Sequence, residues 1–211
     1  MPTFKELRDK VARKLIDPNN TAISDLNVGD AVNDAVRFWK QKALWFNEAA
    51  ATTTLVIGNP VIPNLPSDLL FLDPENGFVI PYNQISYTLK KKHPVEFDSI
   101  SIEGAMGLPF IYTWRNGVYS LYFNPNIAYT LNIYYIKDYA DLQGDNDTND
   151  FLTYADQLIM YETLSRLYGE ERQDMATGDT YFAKANREFA NLKVRSKLQN
   201  ATGRLIVDTI I

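Results

Sequence analysis

Apolar positions in this chain change period twice. From Thr3 to Ile16 they recur at spacings of three and four, through Phe4, Leu7, Val11 and Leu15, which predicts an amphipathic helix. Thr3 can cap it with Glu6 in the capping-box position, and "DPNN" ends it at Pro18. A second helix is predicted from Val28 or Asp30 to Phe46, with Ala31, Val32, Ala35, Phe38, Trp39, the Lys42 stem and Trp45 on its apolar face. "FWKQKALWF" reads as a core helix with bulky anchors, Trp39 and Trp45 among them. No basic field surrounds these rings to support base stacking.

From Ala50 the period falls to two. "ATTTLVI" is β-branched and strand-like. "GNPVIPNLPSDLLFLDPENG", broken by prolines and glycines, reads as a long irregular connection. "ISYTLKKKHPVEFDSISIEG" suggests two strands interrupted at His93-Pro94, with the lysines protecting an exposed edge. Asn116-Gly117 separates "FIYTWR" from "VYSLYF", the strongest local signal for a type I′ hairpin. Alternation puts Tyr112 and Trp114 on one face and Ile111 and Thr113 on the other. Both faces are partly apolar, so both can be covered. "YTLNIYYI", Tyr129 to Ile136, is one more strand.

Helical spacing returns at Asp150 and runs through Phe151, Tyr154, Leu158, Tyr161, Leu164, Leu167 and Tyr168, with Gly169 as a stop. A last helix is predicted from Asp174 or Gly178 to Leu198, with Asp179 and Thr180 as further candidate starts. "NATGRLIVDTII" does not fit that helix. It is a candidate arm that adds a strand to another subunit; adding one to its own sheet, or fraying, is the alternative.

The predicted fold is therefore α+β. N- and C-terminal helices form a four-helix bundle, and a small antiparallel β-sandwich or barrel of about six strands is inserted between them. The segments are 1–49 and 150–198 for the bundle, 50–137 for the β domain, 138–149 for an acidic linker and 199–211 for a docking arm.

Composition narrows the function classes. The formal net charge is −5, which argues against a basic nucleic-acid binder. The acidity is local: residues 51–150 carry 5 basic and 11 acidic groups, whereas 1–50 carry 8 and 7, and 151–211 carry 8 and 8. Tyrosine and phenylalanine number 13 and 11, an excess that suits both wet interfaces and plain sheet packing. With no cysteine, disulfides and thiolate chemistry are ruled out. No run of 18 apolar residues predicts a membrane span, and the N-terminus lacks the apolar core of a secretory signal, so assembly in a cytoplasm is expected.

No catalytic, metal or cofactor constellation stands out. His93 is the single histidine and reads as a solvated turn residue. "GAMGLP" lacks the end of a phosphate loop. Asp145, Asp147 and Asn149 fall at positions 1, 3 and 5 of a calcium loop, but Asp150 replaces the required glycine and Asp156 the bidentate glutamate. Capping of the next helix by Asn149 or Asp150 is the better use. Paired carboxylates for glycoside hydrolysis are available only as abundance in a polar loop.

Several stretches in order resemble the head-to-tail adaptor proteins of tailed bacteriophages, also called head completion or tail tubular proteins. They are Trp45-Phe46-Asn47 followed by "AAATTTLVI", then "NLPSDLLFL", "RNGVYSLYFNP", "YYIKDYADL" and "YADQLIMYETLSRLYG". The likeness runs from about Thr3 to Leu198, and its weight lies in order and spacing. It implies a non-enzymatic virion protein at the head–tail junction, in a ring typically of twelve copies below the portal. The helical domains would pack around the DNA channel, with double-stranded DNA passing through unread. The β domain would face outward or toward a downstream tail or nozzle protein. Leu205, Ile206, Val207, Ile210 and Ile211 would dock on the portal, although this arm is short for the family. Asn116, Gly117, Trp39, Trp45 and Trp114 would be structural turn and anchor positions. The alternatives are a more distal tail-tube or gatekeeper ring component, and a tail-associated binding or carboxylate-based hydrolytic module.

Overall fold

The computed structural model describes residues 1–15, 23–100, 102 and 104–200. They contain helices α1 (Phe4–Lys14), α2 (Asp25–Trp39), α3 (Pro94–Ile100), α4 (Asp150–Tyr154), α5 (Asp156–Arg166) and α6 (Met175–Asn200). The strands are β1 (Glu48–Thr54), β2 (Leu69–Leu72), β3 (Phe78–Tyr82), β4 (Ile85–Thr88), β5 (Lys90–Lys91), β6 (Met106–Gly107), β7 (Ile111–Arg115), β8 (Val118–Tyr122), β9 (Asn124–Pro125) and β10 (Thr130–Lys137). The fold is α+β. The chain divides into a helical unit, Met1–Asn47 with the described part of the chain from Tyr139 onward, and a β unit, Glu48–Asp138.

In the helical unit, α1 starts with the expected capping box. The Thr3 hydroxyl accepts from the Glu6 N–H (3.3 Å) and the Glu6 carboxylate accepts from the Thr3 N–H (3.1 Å). Phe4, Leu7 and Val11 are buried. α2 begins earlier than its apolar pattern suggests, because Ser24 caps it by accepting from the Asn27 N–H. It also ends earlier, at Trp39, so Lys42 and Trp45 are not on its face. The cause is Asn47, which is fully buried. Its Oδ1 accepts from the Leu44 N–H (2.8 Å) and its Nδ2 donates to the carbonyls of Lys42 (2.8 Å) and Lys40 (3.3 Å). These bonds fold residues 40–47 into turns. Phe46 still reaches the core, edge-on to Phe151 at 5.0 Å.

The helix predicted from Asp150 is two helices. Asn149 caps α4 by accepting from the Leu152 N–H (3.0 Å), and the chain breaks at Ala155, whose φ is −138°. Gly169 does not stop α5. The chain continues as a π-helical turn over Leu167–Glu171 before Asp174 caps α6 by accepting from the Thr177 N–H (3.1 Å). Thr180 instead bonds back to the Ala176 carbonyl inside α6. Gly178 lets α6 approach α5 closely: a Cβ there would lie 3.0 Å from the Ser165 carbonyl oxygen. Helices α1, α2 and α5 pack on one another, and α6 runs against α5.

The β unit does not close into a barrel. One sheet has the order β1-β10-β3-β4, with β2 also paired to β10; a second has the order β5-β7-β8; β6 and β9 form a short third. Pairing is not wholly antiparallel, since β5–β7 and β6–β9 are parallel. The first two sheets share one core, in which Phe78, Ile80, Leu131 and Ile133 meet Tyr112 and Leu121. The other side of the hairpin is covered as well, with Ile111 and Tyr122 packed on Phe97 of α3.

That helix replaces the strand expected after His93-Pro94. Proline at the first helical position costs no hydrogen bond, Glu96 suits the N-terminal dipole, and His93 Nδ1 accepts from the Val95 N–H (3.4 Å). The "irregular" connection also holds β2, and β3 follows it.

Candidate functional site

The acidic segment after the β unit is bound down as a strap on α1 and α2. Asn33, buried on α2, grips it twice: its Nδ2 donates to the Leu142 carbonyl (3.0 Å) and its Oδ1 accepts from the Leu142 N–H (2.9 Å). Arg37 pairs with Asp141, and Arg8 with Asp145 and Asp25. The Phe4 N–H donates to the Asp147 carbonyl (2.8 Å). The hydrogen bond from Arg37 holds the Asp141 carboxyl below its ordinary range. The Asp147 carboxyl is held low by the backbone N–H groups of Gln143 and Gly144, both at 2.8 Å. The residues at calcium-loop spacing are thus engaged as ion-pair, turn and cap groups. Among the described residues no cluster of three or more His, Asp or Glu side chains is poised for a metal ion.

Among the described residues Glu162 is the one acid shut in the helical core, 3% exposed, with Arg166 Nε 3.1 Å from its carboxylate. Burial pushes its carboxyl up, and Arg166 offsets part of that. His93 is exposed and caps α3.

The β unit carries an open groove of about 670 Å³ between β2 and the β7–β8 hairpin. Leu69, Phe71, Leu72, Tyr112, Trp114 and Tyr119 line it, and Asp73 and Lys91 contribute one charge of each sign. Phe71 and Trp114 are 48% and 50% exposed, so large apolar area faces water. Deeper in, burial pushes the Tyr112 hydroxyl up to about 12, with smaller contributions from Tyr119 and Asp73. Large apolar and aromatic side chains beside a few polar groups suit the binding of a partner.

A family model for the SU10 adaptor protein matches residues 2–208. The chain belongs to the SU10 adaptor protein family. No curated protein matches it. The family is one of phage head–tail adaptors, structural proteins of the virion that meet other head and tail proteins. Among the adaptor's described residues no helix is long and apolar enough to cross a membrane.

The adaptor's singled-out residues fall in two places. Trp39 is buried in the helical core, tilted against Phe189 at 4.7 Å, and Trp45 sits half-buried in the turn held by Asn47, its backbone N–H donating to Ser196 Oγ (2.9 Å). Trp114, Asn116 and Gly117 belong to the hairpin, with φ of 51° and 80° at the two turn residues. Leu205, Ile206, Val207, Ile210 and Ile211 lie outside the described residues. Sequence reasoning missed Asn33, Asn47 and the β2 wall of the groove. The all-apolar "LLFL" has no period from which an exposed Phe71 can be read.

Proposed function

We propose that this adaptor is the subunit of a closed ring, twelve copies by the family resemblance, that joins the portal to a downstream tail or nozzle protein. Double-stranded DNA passes through the ring without sequence recognition. The observation that carries the reading is the family match across nearly the whole chain, both units included. Composition supports it, because an acidic middle segment gives DNA few phosphate contacts to hold it in place. Leu205, Ile206, Val207, Ile210 and Ile211 form the arm that docks on the portal. Assembly takes place in the host cytoplasm and the finished ring sits at the head–tail junction.

Deleting residues 205–211 tests the arm directly. Among the described residues the hydrophobic cores reach no further along the chain than Leu192, and the variant is expected to keep the unfolding midpoint of the full chain. It is expected to lose portal retention in a pull-down. Undiminished retention would show that the arm is not the docking element.

A further inference from the structure

The groove of the β unit has an open strand beside it. β2 pairs with β10 along one edge, and among the described residues no strand pairs with its other edge. An edge of this kind exposes backbone N–H and C=O groups in the register a further strand would use. Here that edge adjoins a trough walled by Phe71 and Trp114, both about half exposed. A strand added at β2 would bury those rings and pair those groups at once.

The same chain contains a segment with the matching pattern. Arg204–Ile211, "RLIVDTII", holds five aliphatic residues in eight. In extended form Leu205, Val207 and Ile211 share one side with Thr209, while Ile206, Asp208 and Ile210 share the other. Eight extended residues span about 26 Å, against about 13 Å for the four of β2. The segment carries one base, Arg204, and one acid, Asp208; the groove carries one acid, Asp73, and one base, Lys91.

We propose that the groove of the β unit receives residues 204–211 of a second copy of this chain, added as a strand along β2. This rests on the ring reading. A ring built from one kind of chain needs a donor and an acceptor at different places on that chain, and the segment and the groove are such a pair. The groove holds the arm in the neighbouring copy until the portal competes for it.

The test uses two full-length variants. Leu205→Asp/Val207→Asp spoils the donor, and Phe71→Asp spoils the acceptor. A fluorescein-labelled peptide of residues 201–211 is expected to bind the donor variant saturably and the acceptor variant at least about tenfold more weakly. In sedimentation, neither variant associates alone, and the two associate when mixed. Trp114→Ala is a second acceptor variant, read the same way should Phe71→Asp fail to fold. No peptide binding, or equal binding to donor and acceptor variants, overturns the proposal. Peptide binding with no association of the mixed variants also overturns it, since a copy's own segment would then fill the groove. None of these readouts involves the portal, so a ring that joins the portal while the peptide fails to bind refutes the groove alone.

Discussion

Gly117 has φ of 80° and open space where a Cβ would stand, so the backbone rather than packing requires glycine there. Gly117→Val is expected to destabilise the β unit by about 1–3 kcal/mol through backbone strain, seen as a lower thermal midpoint. An unchanged midpoint would mean that the hairpin tip relaxes without cost. The neighbouring Asn116, φ 51°, completes a turn legible from two letters of sequence. The Thr3–Glu6 capping box was equally legible, because its partners stand three residues apart. Asn33 and Asn47 were not. Asn33 acts on a segment 109 residues away, and Asn47 organises a loop with no periodicity. A buried asparagine with a distant partner leaves no local mark.

Among elements, the strap makes a contrast in energies measurable. Asn33→Ala removes two buried hydrogen bonds and is expected to cost about 1–3 kcal/mol in denaturant unfolding. Arg37→Ala breaks half-exposed ion pairs and is expected to cost less than about 1 kcal/mol. The reverse order would show that charge, not the asparagine, holds the strap. Acid should loosen it. Asp141 and Asp147 have carboxyls held low in the folded state, so the stability they contribute is full above the unfolded value near about 4 and lost as pH falls through their lower folded values. Amide exchange over residues 139–147 is expected to quicken as pH falls through that range, beyond the intrinsic pH trend and relative to β10. Equal protection throughout would contradict this. The elements that misled did so for two reasons. "LLFL" and "FVIP" are too short and too apolar to show a period, and Pro94 punctuates a strand pattern while physically favouring a helix start.

As a whole molecule, the chain was readable in class and in kinship. The α+β character follows from periodicity that switches from helical to strand-like and back. The resemblance rested on stretches spread through both units, which the family match over residues 2–208 also covers. The open sheets were less readable, since parallel pairings such as β5–β7 join segments about twenty residues apart without a turn signal between them. A head–tail adaptor acts through the surfaces it leaves uncovered, and among the described residues those include the aromatic groove. The measurement that tests the central claim most directly is the mass of the adaptor by light scattering, alone and mixed with portal rings. The account predicts a single closed assembly, one portal ring with a full ring of adaptor copies. Absence of any association with the portal, whatever the mass of the free chain, would contradict it and move the protein to a more distal place in the tail.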